Sequence, residues 1–392
     1  MSAPWGVAVS WWYVEIRGAG GRLPTLTGLR FVAAAMVLGF HLRNRGIFLQ
    51  PALSRWVERI FGLGLTGVSF FFILSGFVLT WSGRPERATA FWRRRIARVY
   101  PNHLATAVMI AAVGLAMNFV AALSVGVVVA NLTLVHAWIA DPTWYFSLNS
   151  PSWSLSCEAF FYLSFPLAYR VLNRLPGRAL LPAAALLLAG IWLVPAVVLA
   201  VAPAQSATTW WVIAYFPPTR WLEFLLGIVL ALAVRAGRFP PVPLPVAALV
   251  TVACYVWAGR SLPWPLPIVA GTAPGFALLV PAAALADLRG RRTACGSRPM
   301  VRLGEMSFAL YLVQRTVDSG GHMLLRNSGH EKLHCAASLM YVAAVVAVSL
   351  ALAWLLHRFV EVPAYRALTR ERTGGPRPPA RSHLQCVPTT PA

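Results

Sequence analysis

The stretch Leu26–Arg45, LTGLRFVAAAMVLGFHLRNR, carries two side chains that an apolar helix does not need: Arg30 in its first turns and His41 near its far end. Eleven residues make about three helical turns, so the two share a face and stand roughly 16 Å apart along the axis. A charge within membrane hydrocarbon is costly unless it faces protein or water, which makes an intramembrane arginine a candidate functional residue. Snorkelling to headgroups is the structural explanation of Arg30, and an interfacial position that of His41. A histidine so placed can take a proton from a hydroxyl near neutral pH, the role of a general base.

A second group lies in NSPSWSLSCEAFFYLSFP, Asn149–Pro166, where Glu158 falls in the opening turns of an apolar run. The helix dipole alone would favour a carboxylate there. On the same side of the membrane as His41, it would also orient the imidazole and stabilise its protonated form. A third group is FWRRRIARVYP, Phe91–Pro101. Arg95 and Arg98 are three apart and share a helix face, and paired guanidinium groups grip phosphate well. Such a cluster is equally what a loop on the positive side of a membrane contains. GVSFFFILSGFVLTWS, Gly67–Ser82, offers glycine and serine for close helix packing and suggests no chemistry.

The elements that must position these residues are membrane helices. The 392 residues are 58% hydrophobic and 12% charged, about half the charged fraction of a soluble domain. Apolar runs of roughly 20 residues recur, each long enough for a bilayer core of about 30 Å. They are continuous rather than alternating, which excludes a barrel. The net charge of +22 does not indicate nucleic acid, because the arginines cluster in short segments between apolar runs. The five cysteines are scattered without a CxxC pair, so neither a disulfide framework nor a zinc site is indicated.

The expected fold is therefore all-α: a polytopic transmembrane helix bundle of about ten spans. They fall at roughly 26–44, 61–82, 99–122, 153–170, 179–201, 213–234, 244–259, 265–286, 303–325 and 336–357. The arginine-rich segments Arg84–Arg98 and Asp287–Arg302 and the tail after His357 are assigned to the cytoplasm, with both termini cytoplasmic. Val125–Ile139 is short and carries Asn131 and His136, so it is expected to re-enter or lie in the interface. Residues 1–22 read as an interfacial lead-in, 23–366 as the membrane domain, and 367–392 as a disordered, Arg- and Pro-rich cytoplasmic tail.

Taken together, these stretches resemble the acyltransferase-3 family of integral membrane O-acyltransferases. The likeness rests on Arg30 and His41 in the first span, SFFFILSGFVL in the second, Arg95 and Arg98 in RRRIARVYP, and the Trp-Ser-Leu-x-x-Glu-x-x-x-Tyr pattern around Glu158. LGEMSFALYLVQ, Leu303–Gln314, looks like the family's late-span signature, with Gln314 where a histidine is usual. Cys157 stands where an aliphatic residue is expected and reads as packing.

The resemblance implies a multi-pass enzyme of the plasma membrane. It would take an acyl group from cytoplasmic acyl-CoA, acetyl-CoA or another short-chain donor, and pass it to a hydroxyl; no metal is required. Arg95 and Arg98 would hold the phosphates of coenzyme A, and the pantetheine arm would run between helices past Arg30. His41 would serve as general base, with Glu158 orienting it and Arg30 a candidate to stabilise the oxyanion. The absence of an appended hydrolase domain and the LPTLTGLRF opening look most like the antibiotic-tailoring branch, with a macrolide as acceptor. A cell-surface polysaccharide or a lipid-linked sugar is the alternative acceptor. A transporter with charges on its substrate path is the alternative function, and a membrane sensor built on a degenerate copy of the fold is a further one.

Overall fold

A computed structural model describes residues 21–43, 50–83, 86–116, 124–329 and 333–369. Residues 1–20 of the expected lead-in and 370–392 of the expected tail lie outside the described residues. The protein is all-helical. In chain order the principal helices are α1 (Pro24–Arg43), α2 (Pro51–Phe61), α3 (Thr66–Ser82), α4 (Ala88–Ala116), α5 (Val125–Leu132), α6 (Trp153–Leu172) and α7 (Leu180–Val201). They continue with α8 (Pro217–Arg235), α9 (Leu244–Ser261), α10 (Ala273–Leu288), α11 (Arg298–Glu305), α12 (Ser307–Asn327), α13 (Cys335–Leu356) and α14 (Val362–Thr369).

Each of the ten expected spans falls on one of these helices. Among the described residues, seven helical segments are long and apolar enough to cross a membrane: 24–43, 51–82, 177–201, 207–235, 244–261, 267–288 and 335–369. Helices α4, α6 and α12 are comparably long but carry buried polar residues such as Asn102, His103, Gln314 and Asp318. Composition does not single them out because they hold the polar interior of the bundle.

The structure corrects one boundary. The arginine-rich segment expected as a loop, with a span opening at residue 99, is helical from Ala88 onward. No helix breaker stands between Ala88 and Tyr100, and Arg94 pairs with Glu86 just before the helix. Arg95 and Arg98 stand on this helix, as their spacing requires, with the helix opening about ten residues before the expected span. The segment Val125–Ile139 forms the eight-residue α5, about 12 Å long, then a single turn at His136–Trp138. It is too short to cross as a helix.

Two close crossings fix the bundle. A methyl group on Gly76 of α3 would stand 2.0 Å from the Phe224 carbonyl oxygen, and one on Gly227 of α8 would stand 1.9 Å from that of Ile73. Only glycine admits this approach at either position. At the first helix, Gly28 packs against the Cys295 carbonyl and Gly304 against that of Thr27. Thr25 donates to the Asp287 carboxylate from its backbone nitrogen (2.9 Å) and from Oγ1 (2.5 Å). A carboxylate thus satisfies amide and hydroxyl donors at the start of α1.

The arginine-rich segments gather at one end of the bundle. Arg235 donates to the Thr80 carbonyl at 3.0 Å, Arg238 stands against Gly177, and Thr25 also meets Thr293 at 2.7 Å. Arg98 reaches the segment after α13. This grouping is what a common sidedness of those segments requires.

Candidate functional site

Helices α1, α3, α4, α6 and α12 enclose a cavity of about 90 Å³ toward the arginine-rich end. Arg30 reaches it from α1, Arg95 and Arg98 from α4, and Glu158 and Tyr162 from α6; Phe71 and Ser75 of α3 and Phe308 of α12 are also in its wall, with apolar residues of α3 and α4 making up the rest. Four of the five site residues expected from the sequence are thus brought together. All four keep partial exposure, so they border open space rather than sealed core. Three guanidinium groups around one carboxylate leave the cavity net positive, which suits an anionic ligand.

Each side chain has a local reason for its position. The glycine contacts at Gly28 and Gly304 set the depth of α1 and hence of Arg30. Glu158 accepts a hydrogen bond from Tyr162 Oη at 2.8 Å, one turn along α6. That helix is tied to α4 by Trp92 Nε1 donating to the Tyr162 carbonyl at 3.0 Å, and by the stacked rings of Phe91 and Phe165, 5.0 Å apart. Cys157 is fully buried, with Sγ 3.4 Å from the Tyr215 carbonyl, which agrees with its reading as a packing residue.

His41 does not line the cavity. It stands about three turns from Arg30 on α1, where the neighbouring Leu38 and Leu42 pack with Val317 and Val345. Close by on α12, the fully buried Asp318 receives Arg315 Nη1 at 3.1 Å. Glu158 is at the level of Arg30, so the role expected for it of orienting His41 has no contact behind it among the described residues.

Several residues escaped the reading of the sequence. Glu361, on the turn between α13 and α14, is fully buried and pairs with Arg98 at 2.5 Å. It also accepts from Asn102 Nδ2 at 2.9 Å and faces His357 Nδ1 at 3.3 Å. The signal was present: Glu361 is the one carboxylate between Lys332 and Arg370, directly after an apolar run. From Asn102 the polar thread continues to Thr106 and Asn149, whose Nδ2 donates to Thr106 Oγ1 (3.2 Å) and to the Leu312 carbonyl (3.0 Å). Beside it, Asn131 donates to the Ser147 carbonyl at 2.8 Å, and its own carbonyl lies 3.1 Å from His103 Nε2. Ser152 meets His136 Nε2 at 3.2 Å. These bonds hold the non-spanning segment inside the bundle, where an unpaired polar backbone would be costly.

Comparison with known proteins agrees with this architecture. The profile of the acyltransferase-3 family, described as an acyltransferase domain, matches residues 23–358. The chain is 40% identical over 364 residues to the acyltransferase MdmB of Streptomyces mycarofaciens, a match covering 90% of this chain and 94% of that protein. A shorter match, 30% identical over 165 residues, joins 37% of this chain to 44% of nodulation protein 10 of Rhizobium leguminosarum bv. viciae. No solved structure gives a significant match. The chain is an acyl-transferring membrane protein of the acyltransferase-3 family.

Proposed function

We propose that the protein transfers a short acyl group, such as acetyl, from acyl-CoA to a hydroxyl of a macrolide, at the plasma membrane. The observation that carries the donor half of this reading is the meeting of Arg30, Arg95, Arg98 and Glu158 in one net-positive cavity at the arginine-rich end. Coenzyme A brings a 3′-phosphate and a pyrophosphate, and guanidinium groups bind phosphate bidentately. Arg95, exposed to the cavity and resting 5.7 Å from the Phe91 ring, is the first candidate to meet them. Arg98 is held in a fixed position by Glu361, which offsets its charge, so the positive excess comes from Arg30 and Arg95 against Glu158.

From that cavity the pantetheine arm would follow α1 toward His41, a distance comparable to its own length. His41 would take the proton of the attacking hydroxyl as its oxygen adds to the thioester carbonyl. Collapse of the tetrahedral adduct breaks the C–S bond, releases the thiolate of coenzyme A and leaves the ester; the proton held by the imidazole returns to the thiolate. Glu158 would keep the arginine cluster ordered through charge rather than touch the imidazole.

The macrolide acceptor rests on the likeness to antibiotic-tailoring acyltransferases and on the match along most of a streptomycete acyltransferase. Membranes containing the full chain, incubated with acetyl-CoA and a panel of macrolides and glycans, test it by mass spectrometry. An acetylated macrolide together with free coenzyme A is the expected result. Acetyl transfer only to glycans would overturn the acceptor, and no transfer from acetyl-CoA to any acceptor would overturn the donor.

A further inference from the structure

Helix α12 runs alongside α1 in the same direction. Gly304, just before α12, rests on Thr27; Leu310 and Val313 pack with Ala34; Val317 packs with Leu38 and Leu42. This register places Gln314 between the level of Arg30, where the cavity lies, and the level of His41. It stands one turn beyond Tyr311, whose ring meets the cavity residue Phe71 at 6.2 Å.

Gln314 is fully buried, and neither its amide oxygen nor its amide nitrogen has a hydrogen-bond partner. Leaving both ends of a buried amide unmade is costly and calls for a specific reason. A buried donor–acceptor pair with no partner, at a level between the cavity and His41, matches a ligand that is itself an amide.

We propose that Gln314 binds an amide group of the pantetheine arm of the acyl donor. This rests on the acyl-CoA reading above and adds how the arm is held between the phosphate end and His41. The primary amide of Gln314 can give one hydrogen bond to an arm carbonyl and take one from an arm N–H. The contact fixes how far the arm advances, and so where the thioester carbonyl stops relative to His41. A leucine at this position would fill the space without the desolvation penalty.

The test compares two ligands on the full chain in lipid nanodiscs by equilibrium binding: coenzyme A, and adenosine 3′,5′-bisphosphate, which keeps phosphates but lacks the arm. Gln314→Met, close in shape but unable to hydrogen-bond, should weaken coenzyme A about tenfold, the effect of losing one to two hydrogen bonds, and leave the bisphosphate unchanged. An equal loss for both ligands, or no loss for either, overturns the inference; the latter would mark Gln314 as a core residue served by a buried water. If the variant does not fold, the wild-type chain still decides: N-methylation of the arm amides should weaken coenzyme A by a similar factor, and an unchanged affinity overturns the proposal. Wild-type protein that binds neither parent ligand refutes the acyl-CoA reading itself, a result distinct from a failure at Gln314.

Discussion

Arg98 and Glu361 form an ion pair at 2.5 Å that joins the cavity to the segment after the last long helix. The carboxylate is fully buried and also receives Asn102, so removing it takes a buried partner from a guanidinium and from an amide donor at once. Breaking a buried pair from one side costs about 3–5 kcal/mol. Glu361→Ala should therefore melt well below the wild type in detergent, with weaker binding of adenosine 3′,5′-bisphosphate as Arg98 loses its position. Glu361→Gln keeps a hydrogen-bonding side chain and should fall between the two. A Glu361→Ala protein that melts and binds as the wild type does would show that the pair is dispensable.

A different signature is expected of His41. It lies outside the cavity that binds phosphate in the proposed reading, so its loss should spare donor binding and remove chemistry. His41→Ala should bind coenzyme A within about twofold of the wild type and lose about 10²- to 10⁴-fold in transfer rate, the range for a general base. Arg30→Gln should reverse the pattern, weakening binding of coenzyme A first. The split is read by equilibrium binding and single-turnover transfer on the same preparations. A His41→Ala protein that transfers at the wild-type rate removes His41 from the reaction.

The close crossing of α3 and α8 makes a prediction about folding alone. Gly76→Ala drives a methyl to 2.0 Å from a backbone carbonyl, which no side-chain adjustment relieves. The two helices must separate, and overpacking of this kind costs about 1–3 kcal/mol or more. The yield of monodisperse protein and its melting temperature should both fall. Gly259→Ala, whose methyl would meet only side-chain atoms of Leu63 at 3.4 Å and beyond, should behave as the wild type.

How much of this was readable beforehand follows from the range of each interaction. Arg30 and His41 lie on one helix, and helical periodicity fixed their shared face and spacing without any tertiary knowledge. Apolar runs long enough to cross a bilayer located the long helices for the same reason. The meeting of Arg30 with Glu158 depends on how far α6 is displaced along α4, and that is decided by Trp92 on the Tyr162 carbonyl and by the Phe91–Phe165 stack. No local pattern encodes that displacement, so Glu158 was assigned to the depth of His41. Glu361 was hidden more deeply, because its significance lies in Arg98 and Asn102, more than 250 residues earlier. The helical start of α4 at Ala88 was obscured for an opposite reason: a run of arginines reads as a loop by charge, though arginine is a good helix former.

The ion pair Arg220–Glu223 distinguishes a structural charge from a functional one. Its side chains are 2% and 1% exposed and meet at 3.0 Å, with Arg220 Nη2 donating to Ser69 Oγ at 2.9 Å and the guanidinium 5.1 Å from the Phe72 ring. Neither residue lines the cavity, so its effect should be on stability. Desolvating two charges is costly, and well-packed apolar replacements of similar volume are often neutral or stabilising, whereas removing one partner costs about 3–5 kcal/mol. Arg220→Met and Glu223→Leu should each destabilise strongly, and the double variant should recover most of the loss. Ser69 would not be stranded in it, since its hydroxyl also donates to the Ile268 carbonyl at 3.0 Å. Melting temperatures of the four proteins give the coupling directly. A double variant as unstable as the sum of the singles would mean that the pair specifies the α3–α8 packing through more than its own charges.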